Sequence, residues 1–115
     1  MDSKNRSYQF ALKTIKLIDK LPNDVATQTI AKQLLRASTS IGANIIEAQS
    51  GSSRKDFTNF FNHALKSANE TKYWLDLLKD SGKVDKENID ILIKEAKELS
   101  NILGSSVLTL KGKRF

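Results

Sequence analysis

Residues 34–78 read LLRASTSIGANIIEAQSGSSRKDFTNFFNHALKSANETKYWLDLL. Two amphipathic segments meet in this stretch at a small polar corner, Ser50-Gly51-Ser52-Ser53. Before the corner, Ile30, Leu34, Ala37, Ile41, Ile45 and Ala48 recur at steps of three and four, which places them on one face of an α-helix. After it, Phe57, Phe60 or Phe61, Ala64, Ala68, Thr71, Leu75 and Leu78 recur in the same way. Ser53 with Asp56 three residues on is a variant of the capping box, and the acidic residue suits the positive end of the helix dipole. Gly42 interrupts the earlier segment at a cost of about 1 kcal/mol relative to Ala and is expected to permit close helix approach.

The same spacing extends outward. Upstream, Tyr8, Leu12, Ile15 and Ile18, with Ala11 beside them, predict a helix capped by Asp2 or Ser3 and stopped by Pro22. Asn23 is the expected cap of the second helix. Downstream, Gly82 receives the end of the third helix, and Asp85 caps a fourth carrying Ile89, Leu92, Ala96, Leu99, Leu103, Val107 and Leu110. The expected helices are 3–21, 24–49, 53–80 and 85–110. Four amphipathic helices joined by short turns predict an all-α fold, an antiparallel up-down-up-down four-helix bundle. Residues 1–110 form the single expected domain, and 111–115 a short basic tail.

Composition narrows the chemistry. The 115 residues contain no cysteine, which removes disulfides, thiolate metal sites and cysteine nucleophiles and fits a cytoplasmic protein. No leader or membrane-spanning run is evident, so no membrane partner is expected. His63 is the single histidine, and neither a metal nor a catalytic role is expected of it, because a metal site needs several ligands and a nucleophilic triad needs a base placed beside its nucleophile. Glu47 and Glu70 are candidates to approach each other on facing helices, but neither is followed by His at the spacing of a bundle di-metal site. The corner lacks the pattern of a phosphate-binding P-loop, and the serine-rich patches lack a nucleophile elbow. The expectation is a protein that is not an enzyme and needs no cofactor.

What remains is surface. The chain carries 19 Lys and Arg against 13 Asp and Glu, a net charge of +6 that attracts polyanions. Arg6, Lys13, Lys16 and Lys20 share a face of the first helix, and Lys111, Lys113 and Arg114 add a basic end, so these seven are candidate nucleic-acid contacts. Several apolar residues fall off the expected core stripes: Phe10 and Leu17 on the first helix, Leu35 and Ile46 on the second, Ile91 and Ile102 on the fourth. Spacings of seven and eleven return to nearly the same side of a helix, so these pairs are the expected interface with a partner. Tyr73, Trp74 and Leu77 broaden the stripe of the third helix. Asn44 and Glu47, three apart beside the apolar stripe, are expected to meet as a polar pair that sets bundle register, with partner binding as the alternative role.

The words Leu35-Arg36-Ala37, Ser40-Ile41-Gly42-Ala43-Asn44-Ile45-Ile46-Glu47 and Asp56-Phe57 followed by Ala64 resemble the small four-helix-bundle protein family. Its best-known members are encoded by intervening sequences within bacterial 23S rRNA genes. Where that family usually has Gly after the glutamate, this chain has Ala48, and a later family segment is kept in part as Lys66-Ser67-Ala68-Asn69-Glu70. The family is similar to the accessory proteins of diversity-generating retroelements, basic bundles forming a pentameric barrel with a reverse transcriptase and nucleic acid. The resemblance implies a homo-oligomer of five subunits and association with RNA or DNA, and it transfers no catalytic residue. Residues and resemblance together predict a non-catalytic, oligomeric, nucleic-acid-associated bundle. The rival is a structural or protein-interaction bundle whose charge maintains solubility. A helix-turn-helix reader fits less well, since its helices are shorter and joined by a tighter turn.

Overall fold

The computed structural model describes residues 2–51 and 53–112. It consists of four helices, α1 (Ser3–Ile18), α2 (Val25–Ser50), α3 (Arg54–Asp80) and α4 (Lys86–Leu110), with no strand among the described residues. Each helix packs on its neighbours in sequence, and α1 closes the square on α4, which leaves α1/α3 and α2/α4 as the diagonals. The molecule is a rod of 46 × 24 × 24 Å.

Local chemistry fixes the ends. Asp2, Asp24, Ser53 and Asp85 are the N-caps, each side chain accepting a backbone N–H of the first turn. The cap of α2 is therefore Asp24 and not Asn23. Asp24 accepts from the Thr27 N–H and hydroxyl and also from Lys83 Nζ at 2.9 Å, which ties the α1–α2 linker to the α3–α4 turn. Helix α1 ends at Ile18, three residues before the expected Leu21, because the N–H groups of Lys20 and Leu21 turn to carbonyls only three residues back ahead of Pro22. Gly82 takes φ +74° just past α3, a backbone conformation that other residues adopt at a steric cost.

The core stripes of α2, α3 and α4 follow the apolar spacing. Leu34, Ile41, Ile45, Leu75, Leu78, Ile89, Leu99 and Leu103 are fully buried. On α2, Ala31 and Thr27 are buried while Ile30 is only partly so.

Helix α1 is rotated from expectation. Its buried residues are Ser7, Phe10, Thr14 and Leu17, while Tyr8, Leu12 and Ile15 are exposed at 62%, 39% and 40%. Phe10 and Leu17, expected at a partner interface, are core residues instead, 1% and 6% exposed. The reason lies in the hydroxyls. Ser7 donates to the Ser3 carbonyl at 2.6 Å and Thr14 to the Phe10 carbonyl at 2.9 Å. Each satisfies its polar group within its own helix and can be buried without a partner across the core. The same back-bonding lets Thr71 and Ser38 lie in the interior. The small Ser7 side chain also lies against Gly42, where a Cβ would stand 3.4 Å from the Ser7 Cβ.

Candidate functional site

With its underside in the core, α1 separates two grooves of opposite character. Successive residues turn by about 100° around a helix, so Tyr8, Leu12 and Ile15 project to one flank and Lys13, Lys16 and Lys20 to the other. The first flank faces α2 and the second faces α4.

The α1/α2 groove is apolar. Tyr8, Ala11, Leu12 and Ile15 form one wall, and Thr39, Gly42, Ala43 and Ile46 the other, around a volume of about 770 Å³, with the polar Asp2, Lys4 and Asn5 confined to the end where α1 begins. Thr39, Gly42 and Ala43 give the α2 wall short side chains, and Ile46 is its one large apolar residue. Ile46 is 49% exposed, and Leu35, 39% exposed, continues the same side of α2 at heptad spacing from Gly42.

The α1/α4 groove is basic. Lys13, Lys16 and Lys20 line it with Leu17 from α1 and Asn88, Ile91 and Leu92 from α4, around about 320 Å³. None of the three lysines takes part in an ion pair among the described residues. Ile91 stands 57% exposed among them, above the buried edges of Leu17 and Leu92. Asn88 donates one amide hydrogen to Asp85 Oδ2 at 3.0 Å and keeps its carbonyl oxygen and second hydrogen.

Arg6 belongs to the same helix flank but has a different fate. Its Nε and Nη2 bind the two oxygens of Glu95, and Nη2 also reaches Glu98 Oε1 at 3.0 Å. Hydrogen bonding to Glu95 and then Glu98 raises the guanidinium pKa further above its ordinary value. This residue is a tie between α1 and α4, with its charge already neutralised. The stripe of four cations is thus three free lysines and one structural arginine.

Other expected site residues are dispersed. Lys111 is exposed past the C-terminus of α4, about 35 Å along that helix from Asn88, so it does not join the lysine groove. Lys113 and Arg114 lie outside the described residues. The proposed interface pairs are split: Leu35 and Ile46 flank the apolar groove, Ile91 sits in the basic one, and Ile102, 37% exposed, lies further along α4. Asn44 and Glu47 form no hydrogen bond with each other among the described residues. Asn44 donates instead to the Ser40 carbonyl of its own helix at 2.9 Å, and Glu47 is exposed.

Glu70 is held far from Glu47, by Arg36 on α2 and by Trp74 Nε1 at 2.9 Å. The Trp74 bond, with Arg36 after it, lowers the Glu70 pKa. Tyr73, 58% exposed, meets Trp74 edge to face with ring centroids 5.0 Å apart. His63 is exposed and lies edge to face with Phe60 at 6.0 Å. No group of three metal-ligating side chains converges among the described residues, and no helix is long and apolar enough to cross a membrane.

Comparison with known proteins bears on all of this. Residues 1–105 match the family model described as 23S rRNA-intervening sequence protein. No curated protein matches. Among solved structures, a protein of unknown function from the S23 ribosomal protein family of Bacteroides thetaiotaomicron VPI-5482 superposes with a TM-score of 0.83 at 39% sequence identity. The match covers 92% of this chain and 98% of that one.

Proposed function

Because the chain belongs to the 23S rRNA-intervening sequence protein family, we propose that it is a non-catalytic protein that assembles with copies of itself and associates with RNA or DNA. The observation that carries the nucleic-acid part is the α1/α4 groove, where three lysines without acidic partners line one edge of the bundle. Phosphates are the natural counter-charge for such a row. Contacts of this kind position a polyanion without reading its sequence.

The assembly part rests on the α1/α2 groove. Tyr8, Leu12, Ile15, Leu35 and Ile46 expose a joined apolar surface that a second copy would cover. Five subunits is the number implied by the resemblance to pentameric accessory proteins. A ring repeats the lysine row once per subunit, so weak contacts add through avidity.

Binding of structured RNA and duplex DNA, followed over a salt series, tests the reading. Affinity should fall steeply with salt, and charge reversal at Lys13, Lys16 and Lys20 should abolish it while light scattering still reports the oligomer. No binding at low salt would leave the second reading, a protein-interaction bundle, which the apolar α1/α2 groove favours. A monomer at micromolar concentration would remove the assembly.

A further inference from the structure

We infer that the α1/α4 groove takes a single-stranded polynucleotide, with one base lodged against Ile91 and the flanking phosphates on Lys13, Lys16 and Lys20. The inference rests on the nucleic-acid reading above and narrows it to one class of strand. A purely electrostatic surface needs only cations, yet this groove also has an apolar floor. Ile91 is 57% exposed between the lysine row and the buried edges of Leu17 and Leu92.

The lysines span seven residues of helix, about 10 Å, so they address neighbouring phosphates of one strand. A duplex keeps its bases stacked and paired. It can meet the lysine tips, but it leaves the floor wet. An unpaired strand can turn a base out of its stack, and single strands are recognised through such splayed bases. Lodged there, the base would cover Ile91, and Asn88 at the rim offers both a donor and an acceptor to its edge. Glu95, which lines the adjoining hollow together with Lys13, is held by Arg6. The charge at this end of the groove therefore stays favourable to a phosphate.

The test is fluorescence anisotropy of the intact protein with labelled oligouridylate, oligothymidylate, an abasic strand of equal length and a duplex of equal length. Three phosphate contacts on a single strand give a slope of log affinity against log salt of about −2, roughly a twentyfold loss between about 50 and 200 mM. The two base-bearing strands should bind more tightly than the abasic strand and the duplex. Ile91→Ser leaves every charge in place and should weaken the base-bearing strands by about fivefold, the effect of losing roughly half an isoleucine side chain of burial. It should leave the abasic strand and duplex unchanged, and Ile91→Leu should restore wild-type affinity. Ile91 is exposed, so the fold survives both changes, as circular dichroism would verify.

Equal affinity for all four ligands, or no effect of Ile91→Ser, overturns the base-lodging groove and leaves a general polyanion surface. Failure of every ligand to bind at low salt overturns both that surface and this inference.

Discussion

Arg6 holds Glu95 through two hydrogen bonds, Nε to Oε2 at 3.0 Å and Nη2 to Oε1 at 2.7 Å, between residues 89 apart in the chain. Both side chains are about three-quarters shielded, at 22% and 26% exposure, and the two-pronged geometry matches the planar guanidinium to the carboxylate. The contact joins the first helix to the last and thereby closes the square.

Arg6→Ala should lower stability by about 1–2 kcal/mol, since it removes a charged, partly shielded contact and leaves Glu95 and Glu98 facing each other unneutralised. Arg6→Lys should recover only part, because an ammonium cannot present the fork. Urea midpoints measure both. Arg6→Ala also frees Glu95 beside Lys13 and should weaken nucleic-acid binding for that reason, though less than removal of Lys13 itself.

The rotation of α1 predicts opposite outcomes for two aromatic residues two positions apart. Phe10→Ala opens a cavity in the core and should cost about 3–5 kcal/mol. Tyr8→Ala should change the stability of the isolated bundle by no more than about 0.5 kcal/mol, while weakening self-association. Thermal melts with light scattering separate the two effects. A Tyr8 variant that melts lower than the Phe10 variant would mean that α1 buries its other face.

Gly42→Ala should stabilise the monomer by up to about 1 kcal/mol. The new methyl would stand at an ordinary contact distance of 3.4 Å from the Ser7 Cβ, so the gain in helix propensity is not spent on a clash. Gly42→Leu should push α1 outward and destabilise. Denaturation midpoints of the two variants should move in opposite directions.

Acid should remove the link between the two loops at one end of the rod. Asp24 has a pKa pulled down to about 2, chiefly by the Thr27 backbone N–H and then by Lys83. A carboxylate with a depressed folded pKa stabilises fully above its unfolded value, ordinarily 3.8, and loses that contribution as pH falls towards about 2. Asp24→Asn keeps an acceptor for the cap but no longer titrates. Its melting temperature should therefore fall less than that of the wild type across this window. Glu70, lowered by Trp74 and then Arg36, acts in the same direction and remains in both proteins.

These relationships differ in how far the chain alone announces them. Leu34, Ile41, Ile45, Ala64, Ala68, Leu75, Leu92 and Leu99 lie where their three-and-four spacing puts them, because each stripe is predominantly apolar, with only Thr27, Ser38 and Thr71 among the buried polar residues of α2 and α3. On α1 the inward stripe is half hydroxyl, and hydropathy favours the wrong flank. The 3-4-3 spacing of Ser7, Phe10, Thr14 and Leu17 was available as a signal, given that a helix can satisfy its own Ser and Thr. The lysine row was legible from helix period alone. Its floor was not, because Ile91 and Asn88 come from the fourth helix, at the other end of the chain. Arg6 could not be told from its neighbouring cations without Glu95. Asn44 and Glu47 have the right spacing to meet, but a side chain as short as Asn also reaches the carbonyl one turn back, and that bond won.

Helix α1 has 16 residues where its three partners have 25 to 27, and only two of its four inward side chains are apolar. It is therefore the segment whose release costs the bundle least, and its amides should exchange with solvent deuterium before those of the other helices. Both grooves have α1 as a wall, so a single opening event erases them together. Any occupant of either groove must then shift the balance toward the docked helix and slow exchange along it. Occupancy of one groove consequently favours occupancy of the other, a cooperativity carried by one helix that needs no contact between the two ligands.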